Sequence, residues 1–285
     1  MSFEIIARSR RDRLGEGLLW SQRQQALFWV DILDRQVHRL SLLTREIYSW
    51  DMPEMVGWLI ERERRPGFIA GFASGFHELT LDPVRSAPLQ ALPAHPASNR
   101  LNDAKADRHG RIWAGTMPIA ADQPAGSLYR LDVDGNVERV DQGYTVANGP
   151  AFSIDGNYLY HTDSHAGVIY RFRSHDDGSL SERAVFIEFA SDWGSPDGMT
   201  VDSEGGLWVA HWGGGRVSRF DEQGKLQRSI ELPASQITNC TFAGPNLDRM
   251  FVTSAFDGVA DQPHAGCLFE VDPQVRGLAP FRYHG

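Results

Sequence analysis

The feature of this chain that most restricts its fold is a short apolar segment with an aromatic residue at its centre, which occurs six times. Successive central aromatics are separated by 40, 45, 47, 48 and 43 residues. A period of about 40 to 50 residues is typical of a β-propeller, in which each repeat forms one four-stranded blade. Six copies therefore predict six blades. The central aromatics are Phe28, Phe68, Trp113, Tyr160, Trp208 and Phe251.

The sequence between these segments also predicts strands. The run from Ser127 to Val133 alternates apolar and polar residues, which is the period of a half-buried strand. Turn dipeptides such as Asp134-Gly135 and Asp155-Gly156 separate such runs. Because no segment keeps the apolar spacing of a helix over three turns, we expect almost no helix. The prediction is an all-β fold, a six-bladed β-propeller that forms one domain over residues 1–285.

Two parts of the chain do not follow the repeat and are predicted separately. They are the two ends of the chain and the segment from Pro83 to Ala97. We expect residues 4–7 to complete the last blade next to Phe281-Arg282-Tyr283, which would close the ring. The segment from Pro83 to Ala97 is rich in proline and is predicted to be an irregular connection.

Composition excludes several classes of function. The net charge is −9, whereas nucleic-acid binding usually needs a basic face. The two cysteines, Cys240 and Cys267, form no C-x-x-C pattern and are predicted to be free thiols in a reducing compartment. The N-terminal residues lack the apolar core of a signal peptide, and no apolar run has the length of a membrane span. We therefore expect a cytoplasmic protein that binds neither nucleic acid nor membranes.

Polar residues recur at one position of the repeat, 11 or 12 residues before the central aromatic. In a propeller the first strand of each blade lines the central channel, so an equal position in the repeat means an equal height in the channel. The sequence therefore predicts a ring of polar side chains at one mouth of the channel. Its members are Glu16, Asn102, Asn148, Asp197 and Asn239, and blade two has Val56 at this position.

This ring is suited to a hard divalent cation, because carboxylate and amide oxygens are the ligands that such ions prefer. Glu16 and Asp197 would neutralise the two charges, and Asn148 would add a neutral oxygen. A closed structural zinc site is not expected, since no Cys or His occupies this position. The alternative is that these groups only form hydrogen bonds at the ends of strands. His165 and His211 also follow strands, but we assign them to packing or to the surface.

Several motifs together resemble one family over nearly the whole chain, the senescence marker protein/gluconolactonase family, which contains regucalcin and the sugar lactonases. The resemblance implies a six-bladed propeller with one divalent metal in the central channel. The order and spacing of the motifs carry it, since no one of them is decisive. They are residues 14–17 (LGEG), 99–103 (NRLND), 110–117 (GRIWAGTM), 148–149 (NG), 196–199 (PDGM) and 206–210 (GLWVA).

The resemblance implies a metal-dependent hydrolase of carboxylic esters. Glu16, Asn148 and Asp197 would be the metal ligands, and Arg100 and Asn102 would hold a sugar lactone. The substrate would be an aldonolactone such as glucono-, xylono-, arabinono- or galactonolactone. Ca²⁺, Zn²⁺, Mn²⁺ and Fe²⁺ all remain open as the native ion. The cation would polarise the lactone carbonyl, and Asp197 is the candidate general base.

The chain also departs from the family. Leu18 stands where many members have proline, and residues 118–121 (PIAA) stand where some animal members carry acidic residues that touch the substrate. The substrate pocket is therefore expected to differ from that of the animal proteins. Two other functions stay open: hydrolysis of another ester, such as an organophosphate, and a calcium-binding propeller without catalytic activity. Arg100 has an alternative role too, an ion pair with Asp103 or with a neighbouring blade.

Overall fold

The computed structural model describes residues 3–285, and in this range the chain forms 24 strands and no helix. The strands form six antiparallel sheets of four strands each. The innermost strand of every sheet lies against the innermost strands of both neighbouring sheets, and the last contacts the first. The six sheets therefore surround a central channel as the blades of a propeller. The predicted fold class, an all-β six-bladed propeller, is confirmed.

Strands run outward from the channel in chain order within each of the first five blades. Blades one and two are β2 (Gly15–Ser21), β3 (Ala26–Asp31), β4 (Gln36–Ser41) and β5 (Ile47–Asp51), then β6 (Val56–Glu61), β7 (Phe68–Phe72), β8 (Gly75–Leu81) and β9 (Val84–Gln90). Blades three and four are β10 (Asn99–Ala106), β11 (Ile112–Pro118), β12 (Gly126–Leu131) and β13 (Val137–Tyr144), then β14 (Ala147–Phe152), β15 (Tyr158–Asp163), β16 (Val168–Ser174) and β17 (Leu180–Glu188). Blade five is β18 (Ser195–Val201), β19 (Leu207–Trp212), β20 (Arg216–Phe220) and β21 (Leu226–Glu231). Blade six is β22 (Ile237–Ala243), β23 (Arg249–Ser254), β24 (Phe269–Val271) and β1 (Phe3–Ile5).

The repeated aromatics lie on the second strand of every blade and are buried between blades. The rings of Phe28 and Phe68, for example, meet edge to face at 5.1 Å across blades one and two. In blade three the indole N–H of Trp113 donates to the Asp107 carboxylate at 2.9 Å, so its polar atom is satisfied inside the core. The period of the sequence thus comes from one large side chain per blade that fills the space against the next blade.

The two ends of the chain close the ring differently from the prediction. β1 pairs with β24, and Glu4 lies opposite Glu270, so the N-terminal segment does complete the last blade. The placement of Phe281-Arg282-Tyr283 in that blade is wrong. Tyr283 instead exchanges backbone hydrogen bonds with Glu61 and Glu63 of blade two.

The reason for this placement is the burial of one aromatic side chain. The ring of Tyr283 is 2% exposed and packs with Trp58 and Ile60 of blade two and with residues of blade three. Its hydroxyl donates to the carbonyl of Asp132 at 3.0 Å. The preceding residues, 278–281, line a cavity of about 100 Å³ at the end of the channel opposite the polar ring. The C-terminal segment therefore crosses and covers that end of the channel.

The segment from Pro83 to Ala97 is also more regular than predicted, because residues 84–90 form β9. This strand is the outermost of blade two, so only one of its edges is paired. Pro88 lies opposite His77 in the pairing with β8. Proline is tolerated on an outer strand, since the missing N–H leaves no gap in an inner ladder.

Two further expectations concern the chain as a whole. Cys240 and Cys267 are free thiols, as predicted from their spacing. Nowhere in residues 3–285 is there a helix with the length and apolarity needed to cross a membrane.

Candidate active site

The innermost strands share one irregularity, and it lies at the level of the polar ring. The register of each innermost strand with its second strand shifts at this height, which marks a β-bulge in all six blades. A bulge adds a residue without a partner and re-aims the neighbouring side chains. The shifts lie between residues 16 and 19, 56 and 58, 101 and 104, 148 and 151, 196 and 199, and 237 and 239. All five polar members of the predicted ring lie at or within these bulges.

Glycines next to the polar residues allow the innermost strands to approach closely. Gly17 has φ = 59°, and a Cβ there would lie 2.5 Å from the carbonyl oxygen of Gly57. A Cβ on Gly57 would in turn lie 2.6 Å from the carbonyl oxygen of Asn102. A Cβ on Gly198 would lie 2.3 Å from the side-chain nitrogen of Asn239. Any larger residue at these positions would push the strands of the ring apart.

The bulges surround a cavity of about 300 Å³ at this mouth of the channel. It is lined by all five side chains that the sequence analysis assigned to the metal or to the substrate, namely Glu16, Arg100, Asn102, Asn148 and Asp197. Asn239, the remaining member of the ring, does not line the cavity, and its Nδ2 donates a hydrogen bond to Glu16 Oε2. The lining residues are Leu14, Glu16, Arg100, Asn102, Met117, Ala121, Val146, Asn148, Ser164, His165, Ser195, Asp197 and Trp212.

Three of the polar side chains form a continuous chain of hydrogen bonds. Arg100 Nη1 donates to Asn102 Oδ1 at 2.5 Å, and Asn102 Nδ2 donates to Asn148 Oδ1 and to the carbonyl of Ala147, both at 2.8 Å. Asn148 Nδ2 donates to Ser164 Oγ at 2.8 Å. These bonds fix the orientation of both amide groups. The alternative ion pair between Arg100 and Asp103 is not formed, and Arg100 has no salt bridge within the described range.

The two carboxylates are buried side by side with little compensation. Glu16 Oε2 accepts hydrogen bonds from the backbone N–H of Gly17 and from Asn239 Nδ2, each at 3.0 Å. Asp197 Oδ1 is buried and has no hydrogen-bond partner among residues 3–285. Burial, and then the charge of Asp103, raise the pKa of Glu16 to about 7. Burial, and then the charge of Glu16, raise the pKa of Asp197 well above its usual range.

This arrangement fits a divalent cation with oxygen ligands. Two buried carboxylates face one cavity, and the arginine that lines it with them is Arg100, whose own pKa burial lowers to about 10. An unpaired buried charge is costly, and a bound cation would remove that cost. Across the described residues no three His, Cys, Asp or Glu side chains are grouped to hold a metal. The candidate donors are therefore the two carboxylates and the amide oxygen of Asn148, a hard set that suits Ca²⁺ or Mn²⁺.

Other lining residues were not found from the sequence. His165 lines the cavity and lies just after the end of β15, next to Asp163-Ser164. Its position at the end of a strand is the feature of the sequence from which it could have been predicted. His211 lies away from the cavity, with its Nδ1 2.8 Å from the carbonyl of Trp193. Burial lowers the pKa of His211 to about 4, so it is a neutral packing residue.

Comparison with known proteins places this chain in a family. The chain belongs to the family described as "SMP-30/Gluconolactonase/LRE-like region", whose model matches residues 14–256. The resemblance inferred from the motifs is thereby confirmed.

Individual relatives match over nearly their full length. A 6-deoxy-6-sulfogluconolactonase of Pseudomonas putida is 35% identical over 272 residues, which are 93% of this chain and 93% of that protein. A pentonolactonase of Haloferax volcanii is 34% identical over 284 residues, which are 95% of this chain and 94% of that protein. By name, both are hydrolases of the ester bond of a lactone. The structure of regucalcin from Agrobacterium tumefaciens, a calcium-binding protein, has a TM-score of 0.92 at 27% identity and covers 100% of this chain and 98% of its own.

Proposed function

We propose that this protein is a metal-dependent sugar lactonase that hydrolyses an aldonolactone, such as glucono-, xylono-, arabinono- or galactonolactone, to the sugar acid. The observation that carries the proposal is the unpartnered, buried Oδ1 of Asp197, which shares one cavity with Glu16 and Arg100. A ring that served only to cap strand ends would not need an unpaired carboxylate oxygen at the cavity. The lactonase names of two full-length relatives support the same activity.

We assign Glu16, Asn148 and Asp197 to the cation. Asn148 presents its oxygen in a fixed direction because its nitrogen donates to Ser164 and its oxygen already accepts one bond from Asn102. When bound, the cation supplies Lewis-acid polarisation of the lactone carbonyl and stabilises negative charge on its oxygen.

Arg100 and Asn102 are assigned to the substrate. Arg100 uses Nη1 for its bonds to Asn102 and to the backbone, so its other N–H groups remain to bind ring or carbonyl oxygens of the lactone. Both N–H bonds of the Asn102 side chain are in use, so Asn102 offers a substrate hydroxyl the second lone pair of its carbonyl oxygen. Together the two side chains orient the lactone above the carboxylates.

Asp197 is assigned as the general base. The Asp197 oxygen that does not hold the cation accepts a proton from the attacking water as the water oxygen bonds to the carbonyl carbon. The same proton then passes to the ring oxygen as the ester bond breaks, so the carboxylate is regenerated and the product is the open sugar acid.

Proton release on mixing the protein with a panel of aldonolactones tests this function. The rate is measured on metal-stripped protein and on protein reloaded with each cation, after subtraction of the uncatalysed rate. We expect acceleration only with a cation, and its loss in Asp197→Asn but not in the matched control Asp192→Asn, an exposed carboxylate. No acceleration with any lactone and cation would refute the lactonase. Cation binding without turnover would instead favour the calcium-binding propeller, and turnover of organophosphate esters alone would favour the other ester hydrolase.

A further inference from the structure

The wall of the cavity above the polar ring is mostly apolar. Four half-buried or buried side chains, Leu14, Met117, Val146 and Trp212, and the methyl group of Ala121 form it. Besides Arg100, the polar lining residues outside the ring are Ser164, His165 and Ser195. Among the lining residues described, no Asp, Glu or Lys joins the wall. A substrate that reaches the ring therefore places its remote end against hydrocarbon.

Several backbone groups on this wall are already hydrogen-bonded within the protein. The carbonyl of Leu14 accepts the N–H of Ile32 at 3.0 Å, and the carbonyl of Val146 accepts the N–H of Ser164 at 2.9 Å. The N–H of Val146 donates to the Asp163 carboxylate at 3.1 Å. These bonds hold the wall rigid and keep its apolar side chains directed at the cavity.

One of the polar side chains on the wall, Ser164, is already partly engaged. The hydroxyl oxygen of Ser164 accepts the amide N–H of Asn148, which leaves its O–H as the group free to bind a ligand. At Ala121, in the segment where some animal relatives carry acidic residues, the backbone N–H donates to the carbonyl of Pro118 at 3.0 Å. A methyl group is the whole side chain that this turn offers to the cavity. A sugar hydroxyl buried against Leu14, Val146 or this methyl group would lose hydrogen bonds to water that these apolar side chains cannot replace.

We propose that the substrate is a deoxy or alkyl-substituted lactone, one whose exocyclic end carries a methyl or methylene group in place of a terminal hydroxyl. This inference rests on the proposed lactonase function and narrows its substrate class. Arg100 and Asn102 recognise oxygens on the ring, and the apolar wall of Leu14, Met117, Val146 and Trp212 receives the exocyclic carbon. The wall is the specificity determinant, and no residue of it takes part in the chemistry.

Matched pairs of lactones that differ in one hydroxyl test the proposal on the metal-loaded protein. Fuconolactone is compared with galactonolactone, and rhamnonolactone with mannonolactone, each pair in the same configuration and ring size. We expect kcat/KM to be about tenfold to a hundredfold higher for the deoxy member, the range in which an apolar pocket rejects an added hydroxyl. Equal or reversed values with good turnover would overturn this inference and leave the lactonase intact. No turnover of any lactone would overturn both.

Two variants locate the specificity on the wall. Val146→Thr and Leu14→Asn each add a polar group with little change in volume. In at least one of them we expect the ratio of kcat/KM for the deoxy and hydroxylated lactones to fall severalfold, through a gain for the hydroxylated member. Val185→Thr, on the exposed outer strand of blade four, is the matched control and keeps the ratio of the unmodified protein. An unchanged ratio in both wall variants would overturn the assignment of the wall.

Discussion

Replacement of Glu16 by Gln should stabilise the metal-free protein at alkaline pH. The folded protein holds the pKa of this buried carboxyl at about 7, whereas its usual value is 4.5. The folded state therefore binds the proton more tightly than the unfolded state, and ionisation of Glu16 opposes folding. Its penalty is absent below pH 4.5, grows between pH 4.5 and 7, and is complete above pH 7. Each unit of difference between the pKa values of the folded and unfolded states corresponds to 1.36 kcal/mol. The rise from 4.5 to about 7 therefore gives a full penalty of about 3 kcal/mol.

Urea unfolding in a chelator, from pH 5 to pH 8, measures this penalty. The Gln side chain keeps an oxygen for the N–H groups of Gly17 and Asn239 but carries no charge. We expect the free energy of unfolding of Glu16→Gln to exceed that of the unmodified protein by about 3 kcal/mol at pH 8, with most of the difference gone at pH 5. Because the charge of Glu16 also raises the pKa of Asp197, the difference reports the ionisation of Glu16 together with its effect on Asp197. Glu188→Gln, at an exposed outer strand, is the control and should show no such difference.

A cation should reverse the order of stability. At a concentration of 1,000 times its Kd, a ligand adds about 4 kcal/mol to the stability of the protein that binds it, which exceeds the penalty of about 3 kcal/mol. The unmodified protein should gain this stabilisation at pH 8, and Glu16→Gln should gain much less because it lacks one of the ligand charges. A pH dependence that is the same in both metal-free proteins, or a Glu16→Gln variant that is less stable at pH 8, would refute the reasoning.

Changes at three further residues have defined outcomes. Arg100→Lys keeps a positive charge but loses the planar fork, so kcat/KM for lactones should fall about a hundredfold while the Kd for the cation, measured by calorimetry, stays nearly constant. Gly17→Ala should lower the free energy of unfolding by about 2 kcal/mol or more, because its φ is 59° and the new methyl would lie 2.5 Å from the carbonyl of Gly57; a neutral result in urea unfolding would contradict the close approach of these strands. Tyr283→Ala should cost about 3 to 5 kcal/mol, and Tyr283→Phe about 1 kcal/mol for the lost bond to Asp132, which thermal unfolding can separate.

The sequence predicts the number of blades and the height of the polar ring because both follow from local periodicity. One aromatic per repeat fills the space between blades, and a residue 11 or 12 positions earlier must fall on the innermost strand. Glu16, Asn148 and Asp197 are also each followed by glycine, which is the local sign of the bulge at this level. The hydrogen bonds from Arg100 through Asn102 to Asn148 connect blade three to blade four. They cannot be predicted from the sequence of either repeat alone.

What the sequence does not predict depends on contacts between distant segments. Tyr283 reaches blades two and three because a gap there accepts its ring, and nothing near residue 283 encodes that gap. Pro88 lies in a strand because the outer edge of blade two needs no N–H from it, which is a property of the sheet. The apolar wall is missed for a similar reason, since Val146 and Trp212 look like ordinary core residues until the mouth of the channel is assembled.

The most direct test of the account is to locate the cation by anomalous diffraction. Crystals are equilibrated with Mn²⁺, and data are collected on the high-energy side of the manganese absorption edge. We expect one strong anomalous peak in the cavity, in contact with carboxylate oxygens of Glu16 and Asp197 and with the amide oxygen of Asn148. Crystals of Glu16→Gln should show a much weaker peak at this position. Strong peaks elsewhere, with none between these three side chains, would contradict the proposed metal centre and the reaction built on it.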